Sequence, residues 1–343
     1  MSALKQFAKK IYYQIKGPKE FESATLPWID RDDADISKFI KDHPQRKGLP
    51  YNLEEKLNFW KQNGYVVLEQ VIPHELIDLY WADVMEIVNN PSKFKTLIQI
   101  DKDENKPNLL RHAYEWTTEQ ILDKMVKIND VHNQSLAAKK LFLYKDIITF
   151  LEAIFKSPIV GMQSLSFLYG SQQPTHADYP WVTAKMPSNL AASWIPVEDV
   201  HINSGPLYYY AGSHQKVKKF NFGNGIYYNG QHSTKTPLDY ANYLNNTCEK
   251  LGLEKQTLLI KKGDILIWHS ALVHGGSIIN DPNQSRKSFV CHYSTEVGLP
   301  FHRSAPQEEP KKFVLNNATL YEDPRFPDQE NLLSQRGESF KEI

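Results

Sequence analysis

Gly263-Asp264-Ile265-Leu266-Ile267-Trp268-His269, followed by Leu272-Val273-His274-Gly275-Gly276-Ser277, is the stretch on which the fold turns. A Gly-Asp turn opens a short apolar run, and a second histidine stands just before a glycine pair. An apolar run of that length between turn residues reads as a strand. Working outward, similar runs occur at 165–169, 190–197, 207–210, 257–260 and 288–293, separated by Gly, Pro, Asn and Ser. Short strands in such numbers predict a sandwich, jelly roll or barrel.

Before Val160 the texture is helical. Leu76, Ile77, Tyr80, Trp81, Val84, Met85 and Val88 recur at three- and four-residue steps, the mark of an amphipathic helix. A second helical region is expected from Ser135 to Phe155, and Tyr65–Leu68 after Gly64 is expected as a strand. The expected organisation is an N-terminal helical and irregular extension over 1–52, a domain over 53–303, and a polar tail over 304–343 that wraps the surface. Residues 215–256, with a helix near 240–251, form a lid-like insertion of the kind compact β folds use to cover a site.

The chain has 343 residues and equal numbers, 40 each, of basic and acidic side chains. That balance argues against a nucleic-acid partner, which usually meets a basic footprint. Two cysteines without a CxxC pair exclude a disulfide scaffold and a cysteine-type zinc module. With no secretory signal and no run of 18 apolar residues, the expected location is cytoplasmic with no integral membrane segment. Lys5, Lys9, Lys10 and Lys16 interleave with Phe7, Ile11, Tyr12 and Ile15, so residues 1–17 suit either a membrane surface or, as we prefer, a helix packed on the body.

Three pieces carry chemistry. In His176-Ala177-Asp178 an extended backbone points residues i and i+2 the same way, so imidazole and carboxylate converge. The block quoted first adds a histidine, His269 or His274, almost a hundred residues later. Two histidines and one carboxylate make the facial triad of non-haem Fe(II) oxygenases, with three positions left open. Arg286, twelve residues after His274, is a permanently charged planar group suited to grasping a carboxylate. Each piece alone has an ordinary structural explanation; the ordered combination does not arise easily by accident.

With these pieces the sequence resembles the phytanoyl-CoA dioxygenase family, within the Fe(II)- and 2-oxoglutarate-dependent oxygenases. The resemblance runs through 59–68, 170–178, 192–199 and 203–214 to the Gly263–His274 block and Arg286, about residues 55 to 300. It implies a mainly β fold with flanking helices around a double-stranded β-helix (jelly-roll, cupin-like) core. It implies His176, Asp178 and His274 as iron ligands, His274 preferred to His269 for its following glycines and its spacing to Arg286. Arg286 would hold the far carboxylate of 2-oxoglutarate, Trp194 would line the cosubstrate pocket, and Gln163 and Ser288 are further candidate contacts. The implied reaction uses O2 and 2-oxoglutarate to hydroxylate an unactivated C–H bond of a small or medium organic substrate, releasing succinate and CO2. Asp178 favours hydroxylation over halogenation, since related halogenases carry a small residue there.

Aromatic residues crowd the motifs, among them Tyr179, Trp181, Tyr208 and Trp268, with Phe220 and Phe222 in the insertion. They read as core or as pocket lining. Lys216, Lys218 and Lys219 read as a solvated turn. The alternative to an enzyme is a non-catalytic jelly roll that binds metal or carbohydrate; a zinc hydrolase is a third reading. Arg286 speaks against both, because neither has a 2-oxoglutarate to hold.

Overall fold

Side chains alternate across a strand, and here that alternation sorts the apolar residues into two cores. The computed structural model describes residues 26–43, 49–100, 109–123, 126–182, 184–299, 312–321 and 333. The basic amphipathic stretch over 1–17 and much of the tail lie outside them. The strands are β1 (Tyr65–Leu68), β2 (Leu97–Ile100), β3 (Leu109–His112), β4 (Val126–Asn129), β5 (Ile159–Phe167), β6 (Ala191–Pro196) and β7 (Leu207–Tyr210). They continue with β8 (Lys255–Thr257), β9 (Ile265–His269), β10 (His274–Gly276), β11 (Ser288–Thr295), β12 (Lys312–Leu315) and β13 (Ala318–Tyr321).

The larger sheet runs β1-β9-β6-β11-β5-β4-β2-β3, and the smaller runs β10-β7-β8. The two face each other as the halves of a jelly roll. On the inner face of the larger sheet, Trp194, Leu266, Trp268 and Val290 join Leu207 and Tyr209 of the smaller. On its outer face, Ile195, Ile265, Ile267, Phe289 and Tyr293 pack against a helical layer. Leu53–Asn63 belongs to that layer, capped by the Asn52 side chain and ended by Gly64 in the left-handed conformation. His74–Asn89 follows: of the expected face Leu76, Ile77, Tyr80, Val84 and Val88 are buried and Trp81 and Met85 half-buried, with Ile87 added to the buried side.

The helix expected over Ser135–Phe155 is two, Leu136–Phe142 and Lys145–Phe155, because Leu143 and Tyr144 leave helical geometry. The helix expected near 240–251 runs Pro237–Lys250, and the strand expected at 257–260 is Lys255–Thr257. The picture of helices before Val160 and strands after it is corrected by β2, β3 and β4, which extend the larger sheet beyond β5. The tail is not merely a surface wrap: β13 pairs in parallel with β5, and its Ala318 and Leu320 are buried. Within the N-terminal extension, Ile29, Ile36 and Phe39 insert into the outer core.

Candidate active site

His176 and His274 meet across an isolated bridge that links the HxD segment to β10, with His176 N–H to His274 O and His274 N–H to His176 O both 2.8 Å. That pairing sets both imidazoles on one side, their ring centroids 4.3 Å apart. The ligand atoms of His176, Asp178 and His274 all lie within 4.8 Å of one another. Asp178 Oδ1 is 3.8 Å from His176 Nε2 and 3.6 Å from His274 Nε2. Those separations are too long for hydrogen bonds and suit lone pairs aimed at a common centre.

The surroundings fit a metal. His176 Nδ1 donates to Pro174 O at 2.8 Å, and His274 Nδ1 donates to Leu272 O at 2.9 Å. A carbonyl only accepts, so each Nδ1 carries the proton and each Nε2 keeps its lone pair. Trp268 Nε1 donates to Asp178 Oδ2 at 2.7 Å, turning the other oxygen, Oδ1, toward the histidines. Burial, with the neighbouring His274, pushes the His176 imidazole down to about 4 against the pull of Asp178, so it is neutral at pH 7. Burial alone would raise the Asp178 carboxyl; His274, His292 and His176 outweigh it and hold the group below the usual carboxylate range.

A cavity of about 580 Å³ opens beside the triad, between the two sheets. Arg286, Trp194 and Gln163 line it, together with His176, Asp178 and His274. Arg286 is 3% exposed, its guanidinium carbon 5.6 Å from the centre of the Trp194 ring. Its Nη1 donates to Gly205 O at 2.9 Å, while Nε has no hydrogen-bond partner among the described residues. No described carboxylate pairs with it, and burial lowers its pKa to about 10. A buried cation without a counter-charge costs free energy, and an incoming carboxylate would relieve that cost. Gly205 makes this geometry possible: its φ is +74°, and a Cβ there would meet Ile279 Cγ1 and Ser277 O at 2.9 Å.

The other sequence candidates separate. His269 faces the helical layer, its Nε2 3.3 Å from Asp30 Oδ2 and its ring 5.3 Å from that of His214. It lies on the far face of β9 from Trp268, so it does not join the triad. Ser288 shares the strand face of Val290 and His292, and its buried Oγ has no hydrogen-bond partner among the described residues, but it does not line the cavity. Lys219 is half-buried rather than fully solvated: its ammonium donates to His214 O at 3.0 Å, and desolvation lowers it to about 8.

Three cavity residues escaped the sequence reading as site groups. His292 lies 3.7 Å from Asp178 Oδ2 and 3.4 Å from the Gln163 amide. Period-two counting from Arg286 through 288 and 290 reaches it, so a signal existed. Trp268 was visible only as one aromatic among many. Lys127 of β4 lines the cavity, and its charge bears on His176; a four-residue strand outside the recognised motifs offered no signal for it.

The family model described as phytanoyl-CoA dioxygenase (PhyH) matches residues 60–288. The peroxisomal phytanoyl-CoA dioxygenase of Mus musculus is 22% identical over 272 residues, covering 70% of this chain and 68% of that protein. Among solved structures, the epimerase SnoN in complex with Fe3+, alpha ketoglutarate and nogalamycin RO superposes with a TM-score of 0.54 at 14% identity, covering 79% of this chain and 98% of that one. EctD from S. alaskensis, with 2-oxoglutarate and 5-hydroxyectoine, gives 0.52 at 15% identity, covering 77% and 87%. These structural likenesses establish the jelly-roll fold.

Proposed function

The chain belongs to the phytanoyl-CoA dioxygenase family, within the Fe(II)- and 2-oxoglutarate-dependent oxygenases, and from that premise we propose that the cavity hydroxylates an unactivated C–H bond of a small or medium organic substrate. His176 Nε2, Asp178 Oδ1 and His274 Nε2 hold the iron, and Arg286 takes the far carboxylate of 2-oxoglutarate beside Trp194. The observation that carries this reading is Arg286: a buried guanidinium with an unpartnered Nε, in the same cavity as a convergent His-Asp-His set.

Bound iron, with 2-oxoglutarate and O2, supplies the oxidative decarboxylation that releases succinate and CO2 and places oxygen on a substrate carbon. The chain does the rest. Pro174 O and Leu272 O keep both histidines in the ligating tautomer, and Trp268 fixes the carboxylate. Gln163 and Lys127 are further polar groups for the cosubstrate. Ser288 is a weaker candidate, since it stands behind the lining. A cytoplasmic location belongs to the same reading, supported by two free, buried cysteines. So does the division into 1–52, 53–303 and 304–343, although segments on both sides of the central domain pack into its core.

The test is anaerobic addition of Fe(II) and then 2-oxoglutarate to metal-free protein. A weak visible charge-transfer band should appear, and Asp178→Ala should abolish it. A folded, metal-binding protein that gives no band would turn the assignment toward a binding protein.

A further inference from the structure

The insertion reaches the candidate iron ligands through a chain of three side chains. Asn245 stands at an exposed position on the helix Pro237–Lys250. Its side chain nevertheless meets a buried partner: Oδ1 accepts a hydrogen bond of 2.6 Å from Thr175 Oγ1. Thr175 is 4% exposed and immediately precedes His176. Its Oγ1 also lies 2.8 Å from the Tyr208 hydroxyl. A hydroxyl carries one proton. Thr175 donates its own to Asn245, so Tyr208 is the donor in the second bond. Burial raises the Tyr208 phenol, against the hydrogen bond with Thr175, and that proton stays in place at neutral pH.

Tyr208 ties the same chain to the other histidine. In the pairing of β7 with β10 it stands opposite Gly275, the residue after His274. It lies so close that a Cβ on Gly275 would strike its hydroxyl. Lys255 of β8 covers the ring, with Nζ 3.7 Å from its centre. The hydroxyl thus touches the residue after one histidine and the residue before the other. Without it the connection is slender: two backbone hydrogen bonds join His176 to His274, His176 lies outside the named strands, and β10 has three residues. The support at the far end is firm. The helix starts at a capping box of Thr236 and Asp239, and its Tyr240 and Leu244 are buried.

We infer that Asn245 is a positioning residue for the iron site: through Thr175 and Tyr208 it fixes the spacing of the segments that carry His176 and His274. The inference rests on the reading of His176, Asp178 and His274 as iron ligands. Its own hydrogen bonds can be removed without touching any of the three.

The test titrates Fe(II) anaerobically into the metal-free protein and its variants, then records the chelate band with 2-oxoglutarate. Asn245→Ala should weaken Fe(II) binding roughly 2- to 10-fold, the worth of one neutral hydrogen bond. Position 245 is exposed and alanine favours a helix, so the urea midpoint should not fall. Asn245→Asp keeps an acceptor oxygen and should restore the affinity. Thr175→Ser keeps the hydroxyl and should bind iron like the unaltered protein, whereas Thr175→Val should lose at least as much as Asn245→Ala. Adding Asn245→Ala to Thr175→Val should remove nothing more, because both changes break one chain. An unchanged affinity in Asn245→Ala, a loss that Asn245→Asp does not restore, or a full second loss in the double variant would each overturn the inference. If that happens with the chelate band intact, the oxygenase reading survives alone. If the unaltered protein binds Fe(II) without giving the band, the oxygenase reading falls and the affinities still decide the role of Asn245. A folded protein that binds no Fe(II) overturns both.

Discussion

At the scale of single residues, the candidate site is organised by what holds each candidate ligand as much as by the three side chains themselves. Trp268→Phe removes only the hydrogen bond to Asp178 Oδ2, and loss of such an outer partner should weaken iron binding about 10- to 100-fold. Titration of the metal-free variant with Fe(II) checks this; an unchanged affinity would mean that packing alone orients the carboxylate. Arg286→Ala should raise the 2-oxoglutarate requirement roughly 10- to 100-fold, the worth of a hydrogen-bonded pair to a charged group. Arg286→Lys should recover part of that loss, because lysine keeps the charge without the planar fork. His269→Ala should leave iron binding intact, since that ring faces Asp30 on the other side of β9.

At the scale of elements, the strand pair β12–β13 shows how a segment outside the motifs supports the core. Leu320 is 2% exposed and sits where a Cβ on Gly161 would strike it. That close approach brings β13 alongside β5, the strand that carries Gln163 into the cavity. Leu320→Ala should destabilise the protein by about 2–4 kcal/mol, the range for large-to-small changes in a closed core. Urea unfolding measures it, and a loss below about 1 kcal/mol would show that the hairpin is only loosely attached. The insertion acts differently, for its aromatic cluster of Phe220, Phe222 and Tyr240 supports Trp181 from behind.

At the scale of the whole molecule, titration couples the N-terminal segment, the larger sheet and the insertion. His214 is buried against His269, with Asp30 from the N-terminal segment and Lys219 from the insertion acting on it. Burial first, then His269, lowers His214 from 6.5 to about 3. In that window the unfolded chain binds a proton that the folded chain refuses, so stability falls as pH drops below about 6.5 and the loss continues toward about 3. The urea midpoint should therefore be lower at pH 5 than at pH 7, and His214→Gln should flatten the difference. An equal slope in the variant would assign the pH dependence to other groups. No helix among the described residues is long and apolar enough to cross a membrane.

The sequence, with the family resemblance it carries, picked out the candidate chemistry-bearing set and the type of fold. His176, Asp178, His274 and Arg286 were legible because ligand spacing and strand alternation are local rules that survive without coordinates. The apolar runs at 190–197, 207–210, 265–268 and 288–293 marked strands for the same reason. What the tertiary structure decided depends on contacts between distant segments. His269 and His274 stand at the end of one block, and the family resemblance favoured His274; the fold separates them physically, because His269 ends β9 facing Asp30 while His274 opens β10 beside His176. The extension of the sheet from β5 through β4 to β2 and β3, the docking of β13 and the lack of a carboxylate partner for Arg286 among the described residues are likewise set by neighbours far away in sequence. Burial acts the same way on Lys219, whose charge looks solvated in the chain but is half-buried and donates to His214 O in the fold. A residue's type and spacing are written locally, whereas its solvation and partners belong to the packed molecule.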